Sequence, residues 1–230
     1  MKPYQPTKEA EALGDDLPQD GLGQKGATTR GRLMEAARRL LTERSAIGLT
    51  SAAIAQGAGV SAASFYNYFV NVEAIIHALC LEAGAETGPI RDAIAPRDGD
   101  DPRAIAGRFV AAYSAHWSRF RPVLSVRNME AERGNIAFQL LRRSFFHAMI
   151  DILLDAALTL RPADGDGEIE ARSGRIAVAV AAIERLGPAA GLYLDEPNPY
   201  RRFAPDLLAG AQVDLLAAAL GGDVMGGRDD

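Results

Sequence analysis

At 230 residues the chain is long enough for one large domain or two smaller ones, and 48% hydrophobic with 24% charged residues is the composition of a globular protein that folds without metal or disulfide staples. A single cysteine, Cys80, excludes an intramolecular disulfide, and the longest strongly apolar run, Ile176 to Ile183, is far too short to span a bilayer. With no apolar stretch of signal-peptide length in the first thirty residues, these features predict a cytoplasmic protein with no membrane partner.

The net charge of −5 divides unevenly along the chain. Residues 1–27 hold three basic against five acidic side chains, 28–72 hold five against two, and 73–230 hold seventeen against twenty-three. A small basic module therefore sits on an acidic body, and local charge rather than the total decides whether a polyanion can bind.

Residues 1–27, rich in Pro, Gly, Asp and Gln, show no sustained period and predict a disordered arm; Gly221 to Asp230 predict a disordered tail. Between them apolar residues recur at three and four, and strict alternation is absent, so the fold class is all-α. Thr28 or Thr29 caps a first helix with Leu33, Ala37, Leu40 and Leu41 on one face, ending near Ser45 to Gly48. Thr50 caps a short helix carrying Ile54 and Ala55, broken by Gly57 to Gly59. Ser61 caps a third, running to Tyr66 or Phe69, and Asn71 caps a fourth, which Gly88 and Pro89 close.

Asp101 and Pro102 start a helix striped with Ile105, Phe109, Tyr113, Trp117 and Phe120. Arg121 and Pro122 read as the opening of another, which stops at Gly134. The next, Asn135 to Leu160, carries Phe138, Leu141, Phe145, Met149, Ile152 and Ala156 on one line and predicts a deeply buried helix. After a loop from Arg161 to Gly167, two alanine-rich helices follow at about Glu168 to Leu194 and Asp206 to Leu220, with Gly187 and Pro188 kinking or breaking the former.

Residues 50–69, TSAAIAQGAGVSAASFYNYF, combine a helix, a glycine turn and a serine-capped helix, the geometry that places a second helix in the DNA major groove. Ile54, Ala55, Ala58, Val60, Phe65 and Phe69 form its inner face; Thr50, Ser61, Ala62, Ser64, Tyr66, Asn67 and Tyr68 face out. From about Arg32 through Leu79, on Leu33, Ala36, Ala37, Leu40, Leu41, Glu43, Thr50, Ile54, Ala55, Ala58, Gly59, Val60, Ser61, Phe65, Tyr66, Tyr68, Phe69 and Glu73, the chain resembles the N-terminal domain of the TetR family of bacterial transcriptional regulators. The rest resembles that family only in size and helical content. Ser45 and Ala63 stand where glycine is usual, and Val72 stands where a phosphate-contacting lysine is common.

The resemblance implies a helix-turn-helix domain over 28–72, an effector-binding and dimerisation domain over 73–220, and no enzymatic activity. It implies that Thr50, Tyr66 and Tyr68 donate to phosphate oxygens, that Ser61, Ala62, Ser64 and Asn67 meet base edges, and that Arg30 reaches a backbone or minor groove. Ser51 and Ala63 belong to the same DNA-facing set, and Asn71, or the amides it caps, replaces the missing lysine. No arginine or lysine lies between Leu49 and Val72, so base reading rests on neutral side chains and requires a dimer. The implied partners are an operator duplex, a small effector and a second copy held through the last two helices.

Seven of the fifteen aromatics fall between Phe109 and Phe146. Phe109, Tyr113, His116, Trp117, Met129, Phe138, Phe145, His147 and Met149 form the predicted effector site, against the plainer reading of each as core; Asn128 and Glu130 are its further polar candidates. His147, Asp151 and Asp155 share a helix face at metal-ligand spacing, but Arg143 continues that line and favours a polar stripe, so no metal or cofactor is predicted. GLGQKG, Gly21 to Gly26, matches a dinucleotide-binding pattern with no strand before it and is a chance match. Two other classes are open: a degenerate member of the fold that binds protein or small molecules without an operator, and a helical enzyme, for which no nucleophile and base lie in a recognisable pairing.

Overall fold

The computed structural model describes residues 24–43, 48–186 and 205–221, and among them every regular element is a helix. The chain divides into two compact units. One comprises the described residues up to Glu86 together with Phe120–Phe145; the other comprises Thr87–Arg119 and the described residues from Phe146 onward.

In the first unit, α1 (Gln24–Glu43) starts four residues before the predicted cap, taking Gln24 to Ala27 into the helix. Leu33 and Ala37 are fully buried, with Met34, Ala36, Leu40 and Leu41 beside them. Helices α2 (Ser51–Ala58), α3 (Ala62–Phe65) and α4 (Val72–Ala85) follow, capped by Thr50, Ser61 and Asn71 as the hydroxyl and amide positions predict. Ile54, Phe65, Phe69, Ile75 and Leu79 close one core with α1, to which Val123, Val126, Phe138 and Leu141 also belong. Cys80 lies in this core, and burial pushes its thiol up to about 12, against the nearby charge of Arg127.

Two further boundaries differ from the sequence reading. Helix α4 ends at Ala85, and Gly88 and Pro89 open the short helix α5 (Gly88–Ile94) instead of closing α4; a proline in a first turn forfeits no helical hydrogen bond. Pro122 lies inside α6 (Pro102–Glu132), which is continuous. The missing N–H at Pro122 is outweighed by burial on both sides of it, at Trp117, Phe120, Val123 and Leu124. Gly134, at φ +91°, supplies the left-handed turn into α7 (Ile136–Leu160).

In the second unit the loop before α6 is fastened by Asp100, which accepts from both terminal nitrogens of Arg108 at 2.9 and 2.6 Å while Arg108 Nε donates to the Ala93 carbonyl at 2.6 Å. Phe109, Tyr113, Met149, Ile152 and Ala156 are buried, as their periodicity predicts. The fully buried Arg172 of α8 (Asp166–Leu186) donates to the carbonyls of Arg161 at 2.7 Å and Ala157 at 3.3 Å, satisfying the end of α7. Helix α8 packs on α9 (Pro205–Gly221). Gly187 and Pro188 fall outside the described residues. Among those described, no helix is long and apolar enough to cross a membrane.

Candidate nucleic-acid interface

The turn between α2 and α3 is built by backbone chemistry. Gly59 takes φ +66°, and its successor Val60 donates to the Ala55 carbonyl at 3.0 Å, the pair of features that closes a Schellman turn. Arg32 of α1 reaches across 26 residues to donate to the Ala58 carbonyl, and lies 3.4 Å from that of Gly59. This guanidinium fastens the end of α2 to α1. Nothing local in the sequence marks Arg32 for that role, since its partner is a backbone carbonyl far along the chain.

Helix α3 begins with Ser61, whose Oγ accepts from the Ser64 amide at 3.1 Å. The hydroxyls of Ser61 and Ser64 are also bonded to each other at 2.9 Å, so both are partly occupied. Ala62 and Ala63 are exposed and present only methyl groups, which permits close backbone approach to a partner. Asn67 is exposed, with no hydrogen-bond partner for its side chain among the described residues, leaving both amide donors and the acceptor available.

Tyr66 stands 55% exposed, its ring edge-on against the buried Phe65 at 5.3 Å. Its hydroxyl is 3.0 Å from that of Ser51 on α2. Tyr68 is half-buried and packs against the core, so it has less freedom to reach outward. Thr50 Oγ1 accepts from the Ala53 amide at 3.1 Å, and Asn71 Oδ1 accepts from the Ala74 amide at 2.7 Å. Both are exposed; with its oxygen committed, Asn71 keeps its Nδ2 donors. Val72 is half-buried and packed against the core, adding nothing polar. Arg30 lies with its guanidinium over the Phe69 ring at 5.0 Å and donates to Met34 Sδ at 3.1 Å, which holds a cation beside the end of the helix-turn-helix.

The face formed by Thr50, Ser51, Ser61 to Ser64, Tyr66 and Asn67 is thus polar, neutral and stiff. Neutral hydroxyl and amide groups at this spacing can hydrogen-bond phosphate oxygens and base edges.

The effector-site residues separate between the two units. Phe109, Tyr113, His116, Trp117 and Met149 are buried in the second, with Phe109 and Tyr113 stacked at 5.6 Å. His147 is exposed there, packed edge-on against Phe146. Met129, Phe138 and Phe145 belong to the first unit, where Phe138 meets His77 edge-on and Arg127 lies over Phe145. The indole N–H of Trp117 is buried and has no acceptor among the described residues. Asp151 and Asp155 are exposed, and no group of three or more His, Cys, Asp or Glu that could hold a metal ion occurs among the described residues.

Residues 33–79 match the family model of the bacterial regulatory proteins of the tetR family. The fold is similar to the crystal structure of Thermus thermophilus FadR, a TetR-family transcriptional repressor in complex with lauroyl-CoA, at 20% identity and a TM-score of 0.56, over 87% of this chain and 98% of that one. No curated protein matches the chain. Within residues 33–79 the helix-turn-helix and its flanking helices match the N-terminal domain of the tetR family of bacterial regulatory proteins, and every regular element among the described residues is a helix.

Proposed function

We propose that the protein is a homodimeric transcriptional repressor in the cytoplasm that binds a palindromic operator and is released by a small, largely apolar or aromatic effector, with no enzymatic activity of its own. The observation that carries this reading is the exposed, neutral face of α3, with Tyr66 oriented by Ser51 and Asn67 unengaged. Two such faces related by a two-fold axis read half-sites one helical turn, about 34 Å, or a multiple of it apart. One face without lysine or arginine supplies little affinity, so binding depends on the pair.

Support for the dimer comes from α8 and α9, where Val178 is 66%, Leu207 62% and Leu215 43% exposed, apolar area that a second copy would cover. Support for an apolar effector comes from the buried aromatics around Trp117, whose N–H has no acceptor among the described residues, and from the lauroyl-CoA bound to the FadR neighbour. A coupling of about 1 to 3 kcal/mol between the two sites weakens operator binding about 5- to 150-fold.

Selection from random duplexes tests the reading: enrichment of a two-fold symmetric site supports it, and no enrichment over input sinks it. The absence of lysine and arginine from α2 and α3 favours one rival, a degenerate regulator without an operator, for which no duplex is enriched.

A further inference from the structure

A cleft of about 190 Å³ opens within the first unit, lined by Glu73 and Ile76 of α4, by Val126, Met129 and Glu130 of α6, and by Arg133 and Phe138. Its floor is apolar: Ile76 and Val126 are buried and Phe138 fully so, while Met129 is half-buried. A dry cavity of about 150 Å³ holds one benzene, so this volume suits a single six-membered ring with a short substituent. Met129 sulfur and the Phe138 ring are favourable neighbours for an aromatic guest.

The rim is charged. Glu130 is paired with Arg133 at 2.8 Å. Glu73 receives a hydrogen bond from Asn135 Nδ2 at 2.6 Å on Oε1, and among the described residues no cation is paired with it. Two carboxylates against one guanidinium leave a net negative mouth over an apolar floor. An anion entering would face both carboxylates and find the single arginine already engaged; a cation would find Glu73 uncompensated.

We propose that this cleft is a binding site for small aromatic cations, with the ring on Ile76, Val126, Met129 and Phe138 and the ammonium group at Glu73. Met129, Phe138 and Glu130, which the sequence groups with the effector site, line this cleft, whereas the apolar effector reading above rests on the residues around Trp117 in the second unit. It also stands whether or not the chain binds an operator, because its test contains no DNA.

The test follows the Met129 methyl resonance of the full-length chain carrying [13C-methyl]methionine, assigned by loss of the signal in Met129→Leu. Benzylammonium, benzyl alcohol and benzoate share a ring and differ in charge. The expected result is a saturable Met129 shift with benzylammonium, weaker binding of benzyl alcohol and none of benzoate. Glu73→Gln keeps the acceptor for Asn135 and removes the charge, and is expected to weaken benzylammonium about three- to fivefold while leaving benzyl alcohol unchanged. No benzylammonium shift up to millimolar concentration overturns the proposal, as does equal binding of all three probes, or an unchanged benzylammonium affinity in Glu73→Gln.

Discussion

The hydroxyls of Ser51 and Tyr66, fifteen residues apart, meet at 3.0 Å and tie α2 to the end of α3. A phenol has one proton to give. When Ser51 donates to Tyr66 Oη, the Tyr66 proton is left for a phosphate oxygen, and the ring is held at the angle that delivers it. Tyr66→Phe is therefore expected to weaken binding to all duplexes about equally, by about 0.5 to 1.5 kcal/mol. Ser51→Ala should cost less, and the double variant should cost less than the sum, because the two hydroxyls act through one bond. Titration of the four proteins on specific and scrambled duplexes checks both points.

Asn67 differs in kind. Its side chain is exposed and unengaged, free to pair with a base edge, whereas Ser61 and Ser64 must first give up each other. Asn67→Ala should blur the preference at one base position in each half-site by about 1 to 3 kcal/mol and leave the others intact. An unchanged profile in a repeated duplex selection would show that Asn67 reads no base.

Gly59 governs the turn. Its φ of +66° is costly for any residue with a Cβ, so Gly59→Ala should destabilise the first unit by about 1 to 2 kcal/mol. A Cβ there would also lie 2.9 Å from Arg32 Nη2, a flexible side-chain end that can withdraw, at the expense of its bond to Ala58. Urea midpoints of the two proteins measure the loss.

Asp100 gives the second unit a pH signature. The two hydrogen bonds from Arg108, with one from the Arg97 amide, lower its carboxyl from 3.8 to about 2. A lowered folded-state value means the unfolded chain takes up the proton first. The contribution is therefore complete above about pH 4, shrinks as pH falls below that, and is gone below about pH 2. Asp100→Asn should lower the urea midpoint at neutral pH, and the gap from the parent should narrow as pH falls from about 4 towards 2.5. A gap of constant size across that range would mean the carboxylate charge is not what stabilises the loop.

How much was readable before folding depended on whether the signal was local. The caps at Thr50, Ser61 and Asn71 act within three residues, and sequence spacing identified all three. Core positions such as Phe65, Phe109 and Phe138 followed from periodicity. Pro122 did not, because whether a proline interrupts a helix depends on what the turns around it bury, and that is set by distant residues. Arg32 on Ala58, Ser51 with Tyr66, and Asn135 on Glu73 join residues 15 to 62 apart, and no periodicity encodes them. In the aromatic cluster, helical spacing states that Trp117 is inside, but whether its indole N–H meets an acceptor is set by residues distant in sequence.

The central claim is that paired copies of α3 enter successive major grooves. Equilibrium binding of the full chain to a selected palindromic duplex, with stoichiometry measured and salt raised from about 50 to about 200 mM, tests it most directly. The account predicts two chains, or a multiple of two, per duplex and an affinity that falls at least about tenfold over that range, with scrambled duplex bound far more weakly. One chain per duplex, or equal affinity for the scrambled sequence, would contradict it.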